Sequence, residues 1–252
     1  MQYTVTENRA LTAQVFRLTL MGDTRTFTHP GQFAQVQVPG FYLRRPLSVY
    51  DWQPAEAGSM TLVYKVLGEG TRALAGIPKG AVLDVLPGLG NGFQPELAQA
   101  AKAKAPLLIG GGIGTPPLYG LCKALLRDGQ TPAVVLGFGT AEEVILQDDF
   151  AALGVPVYVT TLDGSAGRKG FVTDAAETLA GSFDYVYTCG PEPMLKAVYG
   201  LCQRHDVDGQ FSFEERMACG FGACMGCSCH TKYGSKRICK DGPVLLKEEI
   251  IW

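Results

Sequence analysis

The sequence predicts an all-β antiparallel barrel, then an α/β domain built on a doubly wound parallel sheet, then a small cysteine-rich C-terminal domain. Three observations carry that prediction. Short apolar runs fill the chain up to about residue 95, and strand and helix patterns alternate beyond about residue 105. Five of the eight cysteines then fall within the 21 residues from Cys219 to Cys239. The expected domains are 1–98, 99–209 and 210–252. A chain of 252 residues, 46% hydrophobic and 18% charged, is long enough for two domains and an appendage.

In the first domain, apolar residues alternate or cluster at 14–20, 33–38, 47–51, 60–67 and 81–86. Pro30-Gly31, Pro39-Gly40, Gly68, Gly80 and Pro87-Gly88 punctuate them. Five or six short strands at this spacing suit a small closed barrel. Residues 96–105, rich in Ala and Lys, read as a linker. Strands are expected at 106–109, 133–138, 155–161 and 185–188. Helices are expected at 118–125, 142–153, 172–179 and 194–202, the first because Leu118, Leu121, Cys122 and Leu125 share one helical face. Strand–helix alternation of this kind implies a parallel sheet. Cys122 and Cys202 lie on apolar stripes and read as core.

The cysteine pattern is the most specific feature. Cys219, Cys224, Cys227 and Cys239 are spaced C-x4-C-x2-C-x11-C. The first three follow the spacing that wraps a [2Fe–2S] cluster in plant-type ferredoxins, and a fourth thiolate follows. Gly220, Gly222 and Gly226 let the backbone curl and turn N–H groups toward sulfur. A structural zinc knuckle and a pair of disulfides are the competing readings. Cys229 forms a C-x-C with Cys227, and in an extended chain the two would share a face, so geometry does not exclude it as a ligand.

Two glycine-rich loops look suited to a dinucleotide. Gly110, Gly111, Gly112, Gly114 and Thr115 lie between an expected strand and an expected helix, where backbone can approach a phosphate. A tight turn without a ligand is the plainer reading. Cys189, Gly190, Pro191 and Met194 occupy a second such junction, and two such loops border one crevice in an open parallel sheet. Cys189 faces either a ligand or the core; position alone does not decide. In the barrel, Arg45-Pro46-Leu47-Ser48 begins a strand, with an Arg able to fork onto a pyrophosphate. Arg44 and Arg45 could equally be a solvated pair. Gly68-Glu69-Gly70-Thr71 is either a turn or a second phosphate loop. At the end of the second α/β strand stand Glu142 and Glu143 with no Arg or Lys nearby in sequence, which favours NAD over NADP. Carboxylates opening a helix are the alternative.

Together and in this order, these motifs resemble the ferredoxin–NADP reductase superfamily: R-x-x-S on a barrel strand, G-G-x-G opening the nucleotide domain, C-G-P ending its late strand. Pro30-Gly31-Gln32-Phe33 matches the same superfamily's entry to the barrel. The C-terminal run Met217-Ala218-Cys219 to Cys227, with Cys239-Lys240-Asp241-Gly242-Pro243 after it, looks like the electron-transfer subunits of dihydroorotate dehydrogenase B. The resemblance spans essentially the whole chain. It implies an FAD site at Arg45, Pro46, Leu47, Ser48, Val63, Tyr64, Lys65, Gly70 and Thr71. It implies cluster ligation by Cys219, Cys224, Cys227 and Cys239, with Cys229 left out. It also implies NAD as the second substrate and an FMN-bearing catalytic partner, two of each subunit forming a heterotetramer. Electrons from dihydroorotate oxidation, a step of pyrimidine biosynthesis, would then pass through cluster and FAD to NAD⁺.

Two other readings stand beside it. One is the small subunit of an NADH-dependent ferredoxin:NADP oxidoreductase or of a sulfide dehydrogenase; four cysteines, rather than a substituted first ligand, weigh against it. The other is a redox-sensing protein with a four-cysteine zinc site and a vestigial nucleotide domain. A net charge of −2 argues against a nucleic-acid footprint. The N-terminus lacks a signal-peptide pattern and no apolar run reaches membrane-helix length, so a cytoplasmic enzyme is expected.

Overall fold

The computed structural model describes residues 1–252. Six strands close the barrel: β1 (Gln2–Ala10), β2 (Val15–Gly22), β3 (Phe33–Val36), β4 (Arg45–Gln53), β5 (Gly58–Lys65) and β6 (Val82–Leu89). Their order is β1-β2-β5-β4-β3-β6, every neighbour antiparallel and β6 returning to β1. Alternation aims Leu18, Leu20, Met60, Leu62 and Tyr64 into the interior, and closure leaves no sheet edge. Strand β1 has too little alternation to be read from sequence. Only Tyr3 and Val5 alternate there before the register shifts between Val5 and Glu7 and polar residues take over.

Two local expectations change. Gly68 does not end in a bare turn: α1 (Glu69–Ala75) follows it. The expected linker holds α2 (Pro95–Ala100), whose Ala98 is fully buried.

The second domain runs β7 (Pro106–Gly111), α3 (Pro117–Arg127), β8 (Ala133–Phe138), α4 (Gln147–Ala151), β9 (Val157–Thr161), β10 (Arg168–Lys169), α5 (Val172–Glu177), β11 (Tyr185–Cys189), α6 (Glu192–Arg204) and β12 (Asp208–Ser212). The expected helix at 142–153 is a 3-10 turn followed by α4, broken at Leu146, where φ is +62°. Strand order is β10-β9-β8-β7-β11-β12, all parallel. The order reverses between β7 and β11, so a crevice opens at their carboxyl ends. Cys122 and Cys202 are fully buried, as expected for core.

The C-terminal segment is woven into both domains. The expected boundary at 209/210 falls inside β12, which pairs with β11 along its whole length. After the hairpin of β13 (Ser228–Thr231) and β14 (Gly234–Arg237), the chain returns as β15 (Val244–Leu246), antiparallel on β12. The turn before β15 is tied to the barrel by Asn91. Its side chain donates to the carbonyls of Asp241 and Val244 and accepts from the Val244 N–H, and its own N–H donates to the Gly242 carbonyl at 2.7 Å.

Barrel and α/β domain meet across a polar network centred on Asp149. Arg17 and the Tyr50 hydroxyl both donate to Asp149 Oδ1, at 2.8 and 2.9 Å. Tyr50 stacks on Tyr119 of α3 at 4.3 Å, and Lys123 of α3 pairs with Asp51 at 2.6 Å. Burial, with Asp149 adding to it, pushes the Tyr50 hydroxyl far above its ordinary value, so it stays a donor. No helix is long and apolar enough to cross a membrane.

Replacing Asn91 by Ala removes three side-chain hydrogen bonds to the turn. The expected cost is about 1–3 kcal/mol, read as earlier proteolysis within 214–243 and a lower unfolding midpoint. Unchanged proteolysis would remove Asn91 as the anchor.

Candidate cofactor-binding site

The cysteine loop is built from left-handed glycines. Gly220 and Gly222 have φ of +78° and +89°, which fold the backbone around the thiols. Arg237 fixes the loop from below, donating to the Gly222 carbonyl at 3.1 Å and pairing with Asp241 at 2.9 Å. That pairing holds the Asp241 carboxyl down to about 2. Each of the four sulfurs is a free thiol, and they sit two and two: Cys219 beside Cys224, Cys227 beside Cys239. Burial acts to raise the Cys219 thiol, but N–H groups of Cys224, Phe221 and Ala223 outweigh it and hold it at about 6. Burial pushes Cys239 up to about 12, with Cys227 adding to it. A mononuclear zinc site needs four donors around one ion, whereas two pairs of thiolates suit two irons. Cys229 stands on β13, outside both pairs, and lines a neighbouring cavity.

That cavity, about 800 Å³, is where the motifs converge. It is bordered by Arg45 and Pro46 from the barrel, by Gly190 and Pro191 from the α/β domain, and by Met217 and Trp252 from the C-terminal segment. The two adjacent arginines have different surroundings. Arg44 is bound to Asp84. Arg45 meets no carboxylate; it lies over the Phe41 ring at 5.1 Å and donates to the Leu43 carbonyl. A Cβ on Gly70 would overlap the Arg45 guanidinium, so a side chain there would shift the guanidinium from this position. A seated guanidinium with no acid partner suits an anion.

The other barrel residues divide by strand alternation. Val63 faces the α/β domain and Lys65 a second cavity, whereas Tyr64 points inward, 1% exposed, its hydroxyl on Asn8. Any ligand contact of Tyr64 therefore runs through its backbone. Leu47 packs on the barrel core and Ser48 lies opposite Phe33 in β3. The Thr71 hydroxyl is engaged in the turn, accepting from the N–H groups of Leu67 and Gly68.

The second cavity, about 580 Å³, lies at the carboxyl ends of the parallel strands. Gly111, Gly112, Pro191 and Met194 line it. The two glycine loops touch: a Cβ on Gly114 would overlap the Cys189 carbonyl, and one on Gly111 would stand 2.5 Å from Met194 Sδ. Thr115 and Thr160 are buried, each with an unpartnered hydroxyl. Of the two, Thr160 lines the cavity, where an unpartnered hydroxyl is open to a ligand. Cys189 lines neither cavity; its side chain packs against the core, and burial pushes its thiol up to about 12. Gly190 and Pro191 of the same loop line the first cavity, and Pro191 lines the second as well. Glu142 and Glu143 both line the second cavity. Sequence reading saw no cation beside them, yet the fold brings Lys65 across from the barrel to pair with Glu143 at 3.4 Å. Glu143 also accepts from the Gly139 N–H, which leaves Glu142 as the free carboxylate.

Comparison with known proteins gives a consistent picture. Residues 214–251 match the iron–sulfur cluster binding domain of dihydroorotate dehydrogenase B, and residues 108–199 match the oxidoreductase NAD-binding domain. The chain is 41% identical to the dihydroorotate dehydrogenase B (NAD(+)) electron transfer subunit of Bacillus pumilus, over 98% of this chain and 96% of that one. It is 40% identical to the same subunit of Caldanaerobacter subterraneus subsp. tengcongensis, over 100% and 98%. Among solved structures, one of an NADH-dependent reduced ferredoxin-NADP oxidoreductase superposes with a TM-score of 0.87 at 31% identity, covering 99% of this chain and 90% of that one. Phthalate dioxygenase reductase shares the fold, with a TM-score of 0.65 at 17% identity over 81% of this chain and 64% of that one.

Replacing Gly70 by Ala tests the Arg45 seat. In an ordinary helix this change is favourable by about 1 kcal/mol; here the methyl displaces the guanidinium. Flavin retained per chain is expected to fall severely while far-ultraviolet dichroism stays unchanged. Full flavin retention would argue against the seat.

Proposed function

The chain belongs to the electron-transfer subunits of dihydroorotate dehydrogenase B, and we propose that it carries electrons from a catalytic partner subunit to NAD⁺ by way of a [2Fe–2S] cluster and FAD. It is thus one subunit of an NAD-dependent oxidoreductase of pyrimidine biosynthesis. The observation that carries this reading is the 800 Å³ cavity bordered at once by the Arg45 motif, the Gly190–Pro191 loop and the cysteine segment. Three redox groups that exchange electrons must lie close together, and this cavity is lined by residues of all three segments.

The chain's own residues have distinct tasks in this reading. Arg45, seated by Gly70, pairs with the FAD pyrophosphate. The β4 residues Pro46, Leu47 and Ser48, the β5 backbone at Val63–Lys65, and Thr71 border the rest of the flavin. Cys219 and Cys224 hold one iron, Cys227 and Cys239 the other. Gly110, Gly111, Gly112, Gly114 and Thr115 let the nucleotide phosphates approach α3, while Gly190, Pro191 and Met194 close the crevice from the opposite side. Glu142, free of any cation, suits a ribose hydroxyl and repels a 2′-phosphate. A flavin accepts single electrons and donates a hydride, which joins a one-electron donor to NAD⁺.

The finer assignments extend the same reading. The partner carries FMN and oxidises dihydroorotate to orotate, two copies of each subunit assemble, and the complex works in the cytoplasm. The domain division follows function: flavin barrel to residue 98, nucleotide domain to about 212, cluster segment beyond, with β15 returning to the sheet. A second reading, the small subunit of an NADH-dependent ferredoxin:NADP oxidoreductase, is favoured by the structural likeness of 0.87, but at 31% identity against 41%. Co-purification from the native source separates the two by the flavin carried by the partner subunit.

Two outcomes are expected. Replacing exposed Cys224 by Ser removes iron and the visible bands of the cluster while FAD stays bound; loss of both together would count against the separate seats. Alone, the chain reduces artificial acceptors with NADH but leaves dihydroorotate untouched; turnover of dihydroorotate by the isolated chain would overturn the division of labour.

A further inference from the structure

Gln35, at the centre of β3, is fully buried, yet neither its Nε2 nor its Oε1 has a hydrogen-bond partner. Buried amides are almost always satisfied, so this one has a reason to be bare. Strand alternation puts its side chain on the same face as Phe33, which belongs to the same buried cluster as Cys227 and Cys239, while Ala34 and Val36 face the barrel interior. The amide end lies against the cysteine loop. A Cβ on Gly220 would overlap Gln35 Nε2 and stand 2.9 Å from Cδ, so the residue after Cys219 must be glycine to admit it. On the neighbouring strand Gln35 stands opposite Pro46, inside the Arg45–Ser48 motif. A bare polar group is therefore buried between the cysteine loop and the flavin strand.

We propose that Gln35 is a positioning residue for electron transfer: its amide N–H donates to sulfur on the Cys219 side of the cluster and raises the cluster's reduction potential. The proposal rests on the reading that these cysteines hold a [2Fe–2S] centre. The chemistry is general. On taking up one electron the centre gains one negative charge, with no bond made or broken and no proton required. A hydrogen-bond donor aimed at sulfur favours the more negative state. Sequence alone gave no hint, because a single Gln within Phe33–Val36 reads as an ordinary strand position.

The test uses the full chain carrying FAD and cluster, titrated electrochemically with detection by electron paramagnetic resonance. Gln35→Leu removes donor and acceptor together. Gln35→Glu keeps the size, but once ionised it offers acceptors only. In both variants the reduction equilibrium of the cluster is expected to fall about tenfold, ~59 mV for one electron, with flavin potential and iron content unchanged. Wild-type potentials in both would overturn the proposal. Should neither variant assemble a cluster, wild-type protein labelled with ¹⁵N at the glutamine side chains decides by pulsed resonance. A nitrogen coupling to the reduced cluster supports the assignment and its absence overturns it. A wild-type chain with iron but no [2Fe–2S] signal would overturn the underlying cluster reading, and the proposal with it.

Discussion

The seam that fixes the C-terminal segment between two sheets is the constraint on which the rest depends. On one side Asn91 clamps the turn at Asp241–Val244 to the end of the barrel. On the other, β15 completes the α/β sheet along β12. Between these two ties the cysteine loop is held at both ends, and Cys227 and Cys239 share one buried cluster with Phe33 of the barrel. Electron transfer needs fixed distances between carriers, and a loop of this length on a free tether would not supply them. The domain called cysteine-rich from its sequence is in physical terms an insertion between two strands of the sheet.

The same logic governs the barrel and the α/β domain. Their interface is not merely apolar. Asp149 collects Arg17 and Tyr50, and α3 adds Tyr119 and Lys123, so the relative orientation is set by directional contacts as well as by burial. That orientation places Lys65 of β5 on the second cavity and brings Arg45 and Gly190 to the first. Each cavity is thus walled by both domains.

Much of this was legible in the sequence because it rests on local rules. Alternation and punctuation located five of the six barrel strands. Helical periodicity located α3 and α6, and glycine placement marked the loops that meet at Gly114 and Cys189. What escaped was decided by partners far away in the chain. Strand β1 carries too little alternation to be recognised until β2 and β6 pair with it. The linker reading of residues 96–105 missed a helix whose Ala98 has a core to enter only once the domain has folded. The position of Cys189 left it open between ligand and core, and only packing shows that its side chain lies against core residues.

The sequence by itself determined the redox character of this protein. Thiolate spacing, the arginine motif and the glycine loops are properties of neighbouring residues, and their chemistry does not depend on where the chain later travels. Tertiary structure alone decided which of them act together. It separated Arg45 from Arg44 by giving Asp84 to one and Gly70 to the other. It neutralised Glu143 with Lys65 and left Glu142 free. It sorted four cysteines into two pairs and set the bare amide of Gln35 against their loop. These are contacts between residues tens to hundreds of positions apart, and no local pattern encodes which distant group will fill a given space.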